Sequence, residues 1–150
     1  MSVSLILVPA AMAAVAAWKA SRPETDAHGR TVCHVATRMR NEHLLAAALA
    51  DTGASTALHE SRLSAEWQGV QADFQRDAEG AWSVHLVGEV DTARAEQIIA
   101  AVDAAYGRRV QQEVLAKLRE RAPRAGMTLE SETVEDDDSV TVVLTVGTSA

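Results

Sequence analysis

Cysteine is nearly absent from this 150-residue chain: Cys33 is the only one, so no intrachain disulfide can form. Cys33 stands in an apolar, alternating run, where a small buried thiol is the ordinary expectation. Aromatic residues are also scarce, at 3% of the chain. Any core must therefore be built from Ala, Val and Leu, whose burial contributes little area each. A small core of that kind gains from assembly with other copies or partners. Positive charge is in deficit, with 14 Lys and Arg against 21 Asp and Glu, a net charge of -7. That balance argues against a sequence-independent nucleic-acid binder, which needs cations to displace phosphate counterions. The familiar reaction signatures are missing too: no Gly-rich phosphate loop, no G-x-G-x-x-G, no H-E-x-x-H and no G-x-S-x-G.

What the chain does have begins at its first residue. From Met1 to Trp18 no side chain is charged. The run is apolar on every side, unlike an amphipathic surface helix. Trp18, then Lys19 and Arg22, has the form of a membrane boundary: an aromatic belt residue followed by positive charge. A secretory signal would place its positive charge before the apolar run rather than after it. A structural helix buried in an oligomer is the competing reading. The expectation adopted is an apolar helix over 1–19 acting as a single membrane anchor. Leu5, Ile6, Leu7, Val8, Met12, Val15, Trp18 and Lys19 would be its membrane or oligomer contacts. Sixteen helical residues reach roughly 24 Å against a hydrocarbon core of about 30 Å, so such an anchor would be short. Lys19, Arg22 and Arg30 would keep the rest of the chain in the cytoplasm. Residues 20–30, with Pro23 and Gly29, read as a linker.

Residues 31–150 read as an α+β domain. Thr31 to Arg40 alternates as a strand does. Asn41 can cap a helix carrying Leu44, Leu45, Ala48 and Leu49, which Gly53 closes. Ala54 to Ala65 shows no period and reads as a loop. Val70, Ala72 and Phe74, then Trp82, Val84 and Leu86, alternate around a polar turn, predicting a hairpin. Asp91 or Thr92 can start a long helix that Pro123 and Gly126 stop, with Gly107 in its middle. Met127 to Val134 and Val140 to Val146 make a second hairpin around Glu135-Asp136-Asp137-Asp138. This order predicts a ferredoxin-like split βαβ antiparallel sheet with an extra C-terminal strand, preceded by the apolar helix. The last strand, Val140 to Val146, would lie at the sheet edge and offer a contact surface.

Candidate chemistry is thin. His34 and His85 fall on predicted strands and can approach each other across a sheet, whereas His28, His43 and His59 have no evident partner. A satisfied, half-exposed pair is the plainer reading. Glu130, Glu132, Glu135, Asp136, Asp137 and Asp138 crowd the second hairpin without the spacing of a calcium loop. Glu60 and Glu66 near Trp67 lack an evident pocket. Arg108, Arg109, Lys117 and Arg121 mark a possible docking face, though Glu113 and Glu120 interrupt it.

The second half resembles a family of conserved hypothetical proteins encoded in cyanobacterial and plastid genomes. The resemblance rests on Ala81-Trp82-Ser83-Val84-His85-Leu86-Val87, on Tyr106-Gly107-Arg108-Arg109-Val110 and the helix to Arg121, on Gly126-Met127-Thr128-Leu129, and on the acidic hairpin into Val140-Thr141-Val142-Val143-Leu144. The chain departs from that family near Arg108, where a second aromatic is replaced, and in lacking a tryptophan-rich stretch. The resemblance implies a small, non-enzymatic accessory protein and assigns no catalytic residue. The expected function is a membrane-anchored interaction or scaffold protein, with no cofactor and no nucleic acid, that self-associates through the apolar helix and a sheet edge. The second expectation is a soluble oligomeric ligand-binding or regulatory domain that buries that helix in its assembly.

Overall fold

The computed structural model describes residues 2–7, 24–25, 27, 31–37 and 39–147. The elements, in chain order, are β1 (Ser2–Leu7), β2 (Glu24–Thr25), β3 (Thr31–Ala36), α1 (Glu42–Asp51), β4 (Ser55–His59), β5 (Arg62–Trp67), β6 (Val70–Arg76), β7 (Trp82–Gly88), α2 (Thr92–Arg121), a 3-10 turn at Pro123–Ala125, β8 (Met127–Val134) and β9 (Val140–Val146). The class is α+β with two antiparallel sheets, ordered β2-β3-β7-β6-β5-β4 and β1-β9-β8. The chain divides into two compact units, Ala11–Tyr106 and Met1–Ala10 with Gly107–Ala150.

In the larger unit, β4 to β7 form a meander of consecutive hairpins, and β3 is added beside β7. That order differs from a split βαβ sheet, because four strands rather than two lie between the helices. The difference traces to Ala54–Ala65, which reads as a loop in the sequence but folds as β4 and most of β5. In β5 the buried residues are Leu63 and Ala65, alternating with Arg62, Ser64 and Glu66. One small and one large apolar residue make a faint period-2 signal, and β4 is exposed along its whole length. The expected hairpin of β6 and β7 is present. Val70, Ala72, Phe74, Trp82, Val84 and Leu86 all point into one core, joined by Leu45 and Leu49 of α1 and by Ile99 and Val102 of α2. Asp77 builds the turn by accepting hydrogen bonds from the N–H groups of Glu79 and Ala81, both at 2.9 Å.

Both helix starts are capped by the side chains the sequence offers. Asn41 Oδ1 accepts from Leu44 N–H at 3.1 Å, and Asp91 Oδ1 from Arg94 N–H at 2.7 Å. Arg94 then reaches back with its guanidinium to the carbonyls of Glu89 and Gln68, each at 2.8 Å. Tyr106 Oη accepts from the N–H groups of Arg40 and Asn41 at 3.2 and 3.1 Å, tying α2 to the entry of α1.

In the smaller unit, β9 is the central strand, with β1 on one side and β8 on the other. Two expectations are corrected here. Ser2–Leu7 is a strand, not the first turns of an apolar helix, so Leu5, Ile6 and Leu7 belong to a sheet. And Val140–Val146 is not an edge. The physical reason is shared: an all-apolar run is compatible with helix or strand, and S-V-S-L-I-L finds a partner in the strand Val140–Val146. Val3, Leu5 and Leu7 stand opposite Leu144, Val142 and Val140. Those three β9 residues are buried together with Leu115 and Ala122. Glu24 and Thr25, within the expected linker, pair with β3 as a two-residue strand. Val8, Met12, Val15, Trp18 and Lys19 lie outside the described residues. Among the described residues, no helix is long and apolar enough to cross a membrane.

Candidate functional site

Two places in the molecule could carry a function. The first is the outer face of the six-stranded sheet, opposite Phe74, Val84 and Leu86. Strict alternation along antiparallel strands sets residues in rows across this face. One row reads His34 on β3, His85 on β7, Asp73 on β6, Ser64 on β5 and Ala57 on β4, each the direct partner of the next. His85, Asp73 and Ser64 are half-buried. The neighbouring rows are Val32, Val87, Gln71 and Glu66 on one side, and Ala36, Ser83, Gln75 and Arg62 on the other. The expected approach of His34 and His85 is therefore seen in the register.

The order along the row decides what it can do. A nucleophilic triad needs the imidazole between hydroxyl and carboxylate. Here Asp73 stands between Ser64 and His85, which are two strands apart, roughly 9.5 Å. The row therefore does not set a base beside a nucleophile. Among the described side chains, no group of three His, Cys, Asp or Glu is gathered to hold a metal ion. The row is a feature of backbone register rather than of converged side chains.

The second place is the outer edge of β1. It carries no charge, and Val3, Leu5 and Ile6 remain 44%, 40% and 66% exposed. The opposite edge of the same sheet, β8, carries Glu130 and Glu132 and is exposed over most of its length. Charge on an edge discourages pairing with another chain, and β1 lacks that protection.

The other sequence candidates are placed as follows. On α2, Arg108 and Lys117 are about two and a half turns apart and so face opposite sides, whereas Lys117 and Arg121 are one turn apart. Arg109 is half-buried and Arg108 exposed. Lys117 pairs with Glu113 at 2.9 Å, Arg119 with Glu132 of β8, and Arg124 with Glu120 at 3.8 Å. The four cations proposed as a docking face do not form one surface, and acid on the same helix meets part of the charge. In the acidic hairpin, Asp137 Oδ1 accepts from Ser139 Oγ at 2.5 Å and from Ser139 N–H at 3.0 Å. The Ser139 hydroxyl, then its N–H, hold this carboxyl below the usual range. That carboxylate builds a turn. Glu60 sits in the β4–β5 turn with positive φ, and Glu66 is exposed on β5.

One group escaped the sequence reading. Asp103, on the buried side of α2 between Val102 and Ala105, is 9% exposed, and its Oδ2 has no hydrogen-bond partner. Burial pushes its pKa up. It falls in the apolar stripe of Ile99 and Val102, whose period hides a lone carboxylate among buried residues. Beside α2, Arg119, Pro123, Met127 and Leu129 line a wide, shallow depression. No known protein family, curated protein or solved structure matches this chain.

Proposed function

We propose that this chain is a non-enzymatic interaction protein that assembles with a second copy of itself by strand pairing at β1. The observation behind the reading is the uncharged edge strand with Val3, Leu5 and Ile6 exposed. An edge strand presents unpaired N–H and C=O groups, and a second strand satisfies them while covering apolar side chains. A net charge of -7 makes most surfaces of two copies repel. Strand β1 contributes none of that charge, so two copies meet there at least electrostatic cost. A two-fold axis through the edge pairs β1 antiparallel with itself and continues β8-β9-β1 into a six-stranded sheet.

Membrane anchoring has no part in this reading. With Ser2–Leu7 in a sheet, the uncharged run left is 8–18, which even as unbroken helix would reach only about 16 Å, half of the hydrocarbon core. The second expectation from the sequence, an oligomer that needs no detergent, is the closer of the two.

Light scattering on the full chain in detergent-free buffer tests the proposal. A dimer is expected at tens of micromolar, and Ile6→Lys is expected to run as a monomer with an unchanged circular dichroism spectrum, since Ile6 is largely exposed. A wild-type protein that stays monomeric at every concentration, or an Ile6→Lys protein that stays dimeric, overturns it.

A further inference from the structure

We propose that the second copy docks on β1 in a single register, with Ser4 of both chains on the two-fold axis and Val3 of one opposite Leu5 of the other. The inference rests on the β1 self-pairing proposed above and fixes which residues of the second copy it meets.

The backbone groups of β1 point in directions that β9 dictates. In an antiparallel ladder, successive residues of a central strand bond alternately to the neighbour on one side and on the other. On β9 that alternation is set at both ends. Gly147 N–H donates to the Gly126 carbonyl at 2.9 Å, and the Ser139 carbonyl accepts from Glu135 N–H at 2.8 Å. The register shift in this sheet lies at Leu129 and Ser131 of β8 and leaves β9 continuous. The odd-numbered residues of β9 therefore bond toward β8, and Val140, Val142 and Leu144 bond toward β1. Their direct partners Leu7, Leu5 and Val3 bond inward in turn. Ser2, Ser4 and Ile6 are left with N–H and C=O directed at the open edge.

These outward positions are symmetric about Ser4. An axis there pairs Ser4 with Ser4 of the second copy, and Ser2 with its Ile6, so that every outward N–H of the strand meets a carbonyl. A slip of one residue would set Ser4 opposite a residue whose bonding groups β9 already takes, and would turn the side chains to the wrong face. A slip of two in either direction would set Ser2 or Ile6 beyond the end of the opposing β1. The side chains agree with the backbone. Val3 and Leu5 lie on the same face as the buried Leu144 and Val142. With Ser4 on the axis, Val3 meets Leu5 of the second copy at a non-hydrogen-bonded position, the closer of the two spacings at about 4.5 Å between Cα atoms. Each covers apolar surface that the single chain leaves exposed, and no charge stands on the seam.

Cysteine cross-linking of the full chain reads the register. Ser4→Cys is expected to give a covalent dimer on mild oxidation, joined position 4 to position 4. Hydrogen-bonded partners have Cα atoms about 5.5 Å apart, within the span of a disulfide. Ser2→Cys and Ile6→Cys should each fail to link to its own counterpart, about 14 Å away at roughly 3.4 Å per residue, yet link to one another when the two proteins are mixed. Peptide mass mapping separates these links from any through Cys33. Circular dichroism checks that each variant is folded, and light scattering on the same samples tells the two possible failures apart. Monomers at every concentration overturn the inference together with the β1 reading beneath it. A dimer that forms no link at position 4 overturns the register alone. So does a dimer in which Val3→Cys or Leu5→Cys links to itself more readily than Ser4→Cys, or one in which all these positions link to their own counterparts as in a parallel pair.

Discussion

At the scale of single residues, Asp103 is the least comfortable group in the structure. Its carboxyl is buried on α2, one oxygen has no partner, and desolvation disfavours the charged form. A raised folded-state pKa means that the folded chain holds a proton the unfolded chain has already released. The contribution of Asp103 to stability therefore falls as pH rises through the ordinary carboxylate range to the raised value, and stays low above it. Asp103→Asn is expected to raise stability near neutral pH by up to about 1 kcal/mol. Urea unfolding at several pH values should show that advantage shrinking in acid, where the wild-type carboxyl is itself neutral. Tyr106 is the opposite case. Its hydroxyl answers two backbone N–H groups at the start of α1. Tyr106→Phe removes one oxygen and leaves both donors to water, and should cost about 1–2 kcal/mol in the same assay. Neither role could be read from the sequence. Asp103 lies in an apolar stripe whose period masks it, and the partners of Tyr106 are some sixty-five residues away.

At the scale of elements, legibility followed the strength of the hydrophobic period. The strands with three buried apolar residues, β6 and β7, and the long helix α2 could be read, as could the caps Asn41 and Asp91. Strand β5 could not, because Leu63 and Ala65 are its only fully buried members. Strand β1 was misassigned because an uncharged run satisfies the helix and strand templates equally until a partner is known. The histidine row was half legible: the pairing of His34 with His85 could be foreseen, whereas Asp73 joined it only once β6 had a register. The end of β7 shows how tightly such registers are held. Gly88 has φ of 124°, and a Cβ there would lie 2.3 Å from the Gly69 carbonyl oxygen. That oxygen already accepts from Glu89 N–H at 2.8 Å, so it cannot retreat without breaking the bond. Gly88→Ala should cost at least about 2 kcal/mol, seen as a lower midpoint in chemical denaturation.

For the whole molecule, the α+β class was legible and the arrangement of strands was not. Local patterns predict elements, but two separate sheets instead of one follow from which strand finds which, and that depends on contacts between distant segments. The proposed assembly belongs to this scale. If β1 pairs across a two-fold axis, the thermal midpoint of the wild-type chain should rise with protein concentration by mass action, and the Ile6→Lys protein should lose that dependence.

Strand β1 also bears on how the chain is made. It is synthesised well before its partner β9: Leu7 pairs with Val140 and Ser2 with Thr145. Until β9 emerges, this uncharged strand lacks the one strand partner it has among the described residues. Of the described strand pairings, β1 with β9 closes the longest loop, and non-local pairings of this kind fold slowly. During that wait the segment is exposed to mispairing with other nascent chains, the hazard that chaperones restrain. The same strand that would join two finished copies is therefore the one the cell must shield while each copy is being built.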